Sequence, residues 1–258
     1  MIRFGVCGSI DKMPIVKEQG FDYLEMSFSS LVAMSEEEYI KVLEMTAQYD
    51  MKVEAYNGFF PGDIAIVGEN VDYDVIAAHA EKGMKRAAAL GGKVAVIGSG
   101  KSRTIPEGFD YDTAYGQFAK TLRICGEIAA KYGMTIVVEP LQTKETNLIN
   151  TVAAGMEICK RVDHPAVKCL ADFYHVFRSG ESLDAIREGK EMLAHLHIAR
   201  ANEDRCMPGE EDIPQVREWA AAVKENGYSG RLSLEGSYPG DYAECLGRTR
   251  KIVDIFNE

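Results

Sequence analysis

Apolar positions along the chain fall into two alternating kinds of stretch. Short runs rich in β-branched and aromatic residues occur eight times: IRFGVC (2–7), FDYLEMS (21–27), MKVEAYN (51–57), KVAVIG (93–98), MTIVVEP (134–140), AVKCLAD (166–172), AHLHIA (194–199) and RLSLE (231–235). Each reads as a strand. The longer segments between them repeat apolar residues at helical spacing. In SEEEYIKVLEMTAQYD, Ser35 and Glu38 form a capping box ahead of a stripe of Tyr39, Val42, Leu43 and Thr46. Gly20, Gly91 with Gly92, Gly133 and Gly227 stand just before strands two, four, five and eight, where a helix C-terminus favours glycine. Alternation of this kind marks βαβ units on a parallel sheet. Eight units with no long linker predict an α/β chain forming a single (β/α)8 TIM barrel over residues 1–258, with 58–69 and 99–110 as longer loops on its C-terminal face. A doubly wound open sheet is the alternative. It normally carries a glycine-rich turn after strand one, and CGSIDKM contains no G-x-G-x-x-G.

Composition narrows the partners. With 46% hydrophobic and 27% charged residues, the chain folds by burial. A formal net charge of -11 argues against a grip on phosphate backbones or anionic lipid, so neither nucleic acid nor membrane is expected as a partner. The opening MIRFGVCGSIDKM fits neither a signal peptide nor a membrane span, and a cytoplasmic location is expected. Six cysteines without a C-x-x-C pair read as reduced thiols packed as small hydrophobes. Cys206, in a polar loop, is the one expected to be most exposed.

In a barrel the carboxyl ends of the strands surround one pocket, so polar residues there read as chemistry. Strand five ends at Glu139, strand six at Asp172, strand seven carries His197 and strand eight ends at Glu235, at intervals of 33, 25 and 38 residues. Alone, each carboxylate reads equally well as half of an ion pair at the rim. Together they place like charges in one pocket, which is costly unless a cation neutralises them. Three carboxylates and one imidazole form a hard, oxygen-rich set suited to one divalent metal, Mn²⁺ first, with Mg²⁺ and Co²⁺ as alternatives and Zn²⁺ less favoured.

The ordered stretches VVEPLQTKETN, LADFYHV, HLHIARANEDRCMPGEED and GYSGRLSLEG, with GFDYLEMS and YNGFFPGD before them, resemble the xylose isomerase-like TIM barrel superfamily. Within it the likeness is to the ketose 3-epimerase and sugar phosphate isomerase/epimerase group. The resemblance implies a metal-dependent isomerase acting on a small-molecule sugar or sugar phosphate, and a homodimer or homotetramer. It implies that Glu139, Asp172, His197 and Glu235 hold the metal, and that Glu139 and Glu235 double as catalytic acid/base groups on either face of the sugar. Such a pair suits proton abstraction beside a carbonyl: one carboxylate takes the proton from one face of an enediolate and the other returns it to the opposite face. His175 resembles the family histidine that hydrogen-bonds substrate oxygens. Arg205, in NEDR, resembles the family arginine that reaches the same oxygens, although the segment from His197 is two residues longer than the usual pattern.

Glu25 and Asn57, at the ends of strands two and three, are expected to face the pocket and to bind sugar hydroxyls or orient the metal ligands. His195 is expected on the outer side of strand seven, packed against helices, and His79 and His164 on the surface. The stretch GSGKSR (98–103) ends like a Walker motif, but its first glycine would fall at Ala95 inside a strand and no helix follows. Lys101 and Arg103 are read either as contacts for an anionic substrate group or as part of a solvated loop. Three rival functions remain: a sugar lyase or dehydratase on the same metal site, an endonuclease-IV-like hydrolase, and a non-catalytic sugar-binding protein.

Overall fold

The computed structural model describes residues 1–202 and 204–258. Each of the eight apolar runs forms a strand: β1 (Arg3–Cys7), β2 (Tyr23–Ser27), β3 (Lys52–Asn57), β4 (Val94–Ile97), β5 (Thr135–Val138), β6 (Val167–Asp172), β7 (Leu193–Ile198) and β8 (Arg231–Leu234). Among the described residues these pair in sequence order into a closed barrel. All pairings are parallel, and β1 meets β8 with Phe4 opposite Leu232. The chain therefore forms a single barrel with its helices outside, as the alternation of patterns predicts.

Local signals act where the sequence places them. Ser35 and Glu38 form the reciprocal cap of the helix Glu36–Gln48. Gly227 takes the left-handed conformation (φ 84°) that ends the helix Ile213–Asn226. Two layers of packing result. Outward strand residues meet the helices in one large core, while Tyr23, Ala55, Val94, Val96, Val137 and Leu170 fill the barrel interior. Gly5 of β1 makes room for Tyr23: a Cβ there would lie 2.1 Å from the Tyr23 ring.

At the N-terminal end of the barrel, Glu54 accepts from Arg3 of β1 (2.6 Å) and Arg231 of β8 (2.7 Å). Near the same seam, Asn257 accepts from the Ile2 amide (2.8 Å) and donates to the Ile2 carbonyl (3.0 Å). The loops after β3 and β4 are long, as expected, and the second contains a helical turn, Gly100–Arg103. The six cysteines are free, with Cys7 as well as Cys206 partly exposed. Among the described residues, no helix is long and apolar enough to cross a membrane.

Candidate active site

Strands β5 to β8 deliver Glu139, Asp172, His197 and Glu235 to one point on the barrel axis. One ligand atom from each lies within 4.8 Å of the other three. His197 Nδ1 is 3.0 Å from Glu235 Oε2 and 3.3 Å from Glu139 Oε1. Asp172 is the last residue of β6, where its Oδ1 caps the following helix by accepting from the Tyr174 amide (2.8 Å). Its Oδ2 remains directed into the site. There Arg205 Nη2 donates to Asp172 Oδ2 and to Glu235 Oε2, both at 2.6 Å.

The electrostatics of this cluster favour a cation. Burial opposes charging His197, yet Glu25 and Glu235 outweigh it and hold its pKa well above the ordinary imidazole value. Burial, reinforced by Glu235, pushes Glu139 up. Burial also works against Glu235, but His197 and Arg205 pull it down to about 2. A guanidinium seated between two carboxylates, and an imidazole driven to hold a proton, are what an oxygen-rich pocket shows when positive charge suits it. The donor set fits a hard divalent cation.

His175 lies in the first turn of the helix Phe173–Ser179 rather than in a strand. Its Nδ1 accepts from the Gln142 amide (3.2 Å), which leaves the proton on Nε2. That Nε2 is 3.6 Å from Asp172 Oδ2, and it is buried without a hydrogen-bond partner, as is Arg205 Nε. Arg205 adopts a left-handed conformation (φ 46°) in a loop bridged to Ser237 after β8, and its guanidinium stacks on Tyr174 at 4.8 Å. Asn57 donates to Glu235 Oε1 at 2.8 Å, the orienting role among the two considered for it.

Glu25 is corrected in part: of the two roles expected of it, it orients a ligand imidazole and does not bind sugar. It is fully buried, and its two oxygens are taken by His197 Nε2 and His195 Nε2, each at 2.9 Å. Burial this complete keeps it out of reach of a sugar hydroxyl. Burial would raise the Glu25 pKa, but the imidazoles of His197 and His195 hold it far below the usual carboxylate range. His195 is corrected too. Residues two apart on a strand share a face, so His195 and His197 both point inward, 4.9 Å apart at their ring centres. The pair HLH carried that signal in the sequence. Gln142, which fixes the His175 tautomer, carried none.

Two further expectations change. His79 is buried, with Nε2 2.7 Å from the Phe59 carbonyl, and His164 is half-buried with Nδ1 accepting from Ala166. In GSGKSR only Lys101 is exposed. Arg103 is fully buried, and its Nη2 donates to the Glu139 carbonyl at 2.7 Å, so it is neither a solvated loop residue nor an open anion contact. Burial lowers its pKa to about 10, against the opposing pull of Glu139 and Glu145, and it stays charged at neutral pH.

Residues 14–252 match the family described as Xylose isomerase-like TIM barrel. The chain belongs to this family. It is 25% identical over 240 residues to the 3-dehydro-D-guloside 4-epimerase of Escherichia coli (strain K12), a match covering 88% of each chain. It is 32% identical over 135 residues to the D-psicose 3-epimerase of Ruminiclostridium cellulolyticum, covering 52% of this chain and 44% of that one. A crystal structure of a D-psicose 3-epimerase in the presence of D-fructose superposes with a TM-score of 0.85 at 18% identity, over 98% of this chain and 97% of that one. At that identity the likeness is one of fold.

Proposed function

We propose that this protein is a divalent-metal-dependent sugar epimerase that moves a proton at a carbon beside a carbonyl, with Glu139 and Glu235 as its two acid/base groups. One observation carries the reading: four ligand-type side chains from four successive strands converge within 4.8 Å. The likeness over 88% of the chain to a 3-dehydro-D-guloside 4-epimerase and the partial likeness to a D-psicose 3-epimerase both support sugar epimerisation. Glu139, Asp172, His197 and Glu235 would hold the metal, with Mn²⁺ preferred. When bound, it supplies Lewis-acid stabilisation of negative charge on substrate oxygens.

The chain's own residues supply the rest. Glu139 and Glu235 enter from β5 and β8, three strands apart around the ring, and so address a bound sugar from different sides. One removes the proton and the other returns it opposite, inverting the carbon. Asn57 fixes the Glu235 carboxylate through its Oε1. His175 Nε2–H and the Arg205 guanidinium are the donors that hold substrate oxygens, since both keep a buried nitrogen without a protein partner. The burial of Glu139 and Asp172 keeps bulk water from quenching the carbanionic intermediate.

The test is solvent exchange in deuterated water with free ketoses and aldoses, their phosphates and 3-keto-glycosides. Glu139→Gln and Glu235→Gln should each lower turnover by roughly two to four orders of magnitude, the usual range for an acid–base group. Each variant should retain label uptake into only the epimer whose proton faces the surviving glutamate. Near-normal epimerisation by both variants would defeat the proposal, and loss of water from the sugar would favour the lyase reading.

A further inference from the structure

The GSGKSR segment has a role that neither a nucleotide loop nor a phosphate contact describes. Ser99 (φ 35°) turns the chain out of β4, and the helical turn Gly100–Arg103 brings the arginine back beneath the end of β5. The turn is held on both sides. Ser99 Oγ accepts from the Phe60 amide (2.9 Å) and Ser102 Oγ donates to the Pro61 carbonyl (3.0 Å). On the other flank, Ile105 exchanges two bonds with the Asn147 side chain (2.7 and 3.0 Å). A Cβ at Gly100 would lie 2.7 Å from the Glu145 carbonyl, so the turn lies directly against the loop after β5.

Within this frame Arg103 is fully buried, surrounded by protein on every side. A buried guanidinium is expensive, and an apolar side chain of similar length would fill the space at lower cost. Its hydrogen bonds go to main-chain carbonyls, Glu139 at 2.7 Å and, more weakly, Ile97 at 3.4 Å. These are the residues of the last β4–β5 rung, where the Glu139 amide also donates to Ile97 (3.2 Å). The face of the guanidinium rests on Phe118 at 5.6 Å. The Glu139 carboxylate runs across Gly98, where a Cβ would lie 2.2 Å from Oε2. The arginine thus holds the main chain of Glu139 while the glycine opens the track for its side chain.

We infer that Arg103 is a positioning residue for Glu139, fixing the backbone from which that carboxylate reaches the reacting carbon, with Gly98 as the clearance it requires. The inference rests on the epimerase reading for its catalytic consequence, but its geometric content is independent of that reading.

The experiment uses the full chain carrying Arg103→Met, Arg103→Lys or Gly98→Ala, with Glu139→Gln alongside. Free Mn²⁺ is titrated by electron paramagnetic resonance, and solvent deuterium uptake is followed with D-fructose and its C3 epimer D-psicose. Arg103→Met should weaken Mn²⁺ binding about tenfold and lower kcat about 10- to 100-fold with KM within about threefold. Exchange at the face served by Glu139 should fall at least fivefold more than at the other face, and Arg103→Lys should restore part of it. Gly98→Ala should reproduce the asymmetry with Arg103 intact, and it carries the test if the arginine variants do not fold. Equal losses at both faces, or unchanged Mn²⁺ affinity and exchange in a natively melting variant, would overturn the inference. If Glu139→Gln itself leaves both exchanges intact, the two-glutamate reading has failed, and Mn²⁺ affinity alone then decides for or against Arg103.

Discussion

Replacing Glu25 by Gln tests how the site is built more sharply than replacing a metal ligand. The carboxylate is fully buried and bridges two imidazoles, at 2.9 Å each. Gln keeps the volume and one acceptor oxygen, which can serve His197 Nε2–H. Its amide NH2 then faces His195 Nε2. His195 can adapt, because its Nδ1 has no partner and can take the ring proton. The fold should therefore survive at a cost of about 2 kcal/mol, the two charge-assisted hydrogen bonds of the carboxylate weakened to neutral ones. Metal affinity should fall about 10- to 100-fold, or about 1.4–2.8 kcal/mol, since the partner that orients a ligand imidazole and raises its basicity is lost. Glu25→Ala is harsher. It leaves two buried ring nitrogens unpaired, at about 1–3 kcal/mol each.

Proton competition gives that prediction a second signature. Glu25 leads the groups that raise the His197 pKa against burial, so in the native protein a metal must displace a tightly held proton. In Glu25→Gln that proton is held less firmly. The deficit in Mn²⁺ affinity should be largest near pH 8 and should narrow as the pH falls toward 6. Mn²⁺ titration at both pH values, with urea unfolding of both variants, measures every quantity involved. An affinity within twofold of native at pH 8, or Glu25→Ala as stable as Glu25→Gln, would refute the reasoning.

Three other outcomes are expected. Asp172→Asn should weaken Mn²⁺ binding at least tenfold and suppress exchange with both epimers alike, in contrast to the one-sided losses of the glutamate variants, as a metal and exchange titration would show. Gly5→Ala places a methyl group 2.1 Å from the buried Tyr23 ring and should destabilise the barrel by about 1–3 kcal/mol or more in denaturant unfolding. His79 is held neutral, its pKa lowered by burial despite its bond to Phe59. The unfolded chain therefore binds the extra proton, and this site's contribution is complete above the ordinary value of 6.5 and is lost as the pH falls below it. His79→Gln should flatten the acid side of the stability curve, and a native-like slope between pH 6.5 and 5 in that variant would contradict the assignment.

What the sequence reveals depends on whether a residue's position follows from local pattern. Strand ends are local: Glu139, Asp172 and Glu235 each follow an apolar run, so their convergence is legible once eight runs are counted. Period-two geometry is equally local, and it assigns His195 to the face of His197 when applied as written. His79 lies on the buried stripe of its helix with Ile76, Ala80, Gly83 and Met84, so its burial too was available from helical spacing. Arg103 is different. Its burial depends on a left-handed residue four positions earlier and on clamps from two other loops, none of which periodicity encodes. The contact of Gln142 with His175 likewise joins the loop after β5 to the helix after β6, which meet only in the closed barrel.

The pair of hydrogen bonds between Asn257 and Ile2, beside the Arg3–Glu54–Arg231 clasp, has a consequence for how the molecule is made. Translation delivers β1 first, and β1 receives its second neighbour only when β8 emerges, with Arg3 set against Arg231. Through most of synthesis the first strand therefore presents one unpaired rim of peptide groups, a template for unwanted pairing with other nascent chains. A circular permutant in which residue 258 is joined to residue 1 by a short linker, with ends cut in the exposed turn at Gly108, would translate the β8–β1 seam as an internal connection. The vulnerable rims would then fall on β4 and β5, and the difference in aggregation between the two orders of synthesis would isolate ring closure from the stability of the finished ring.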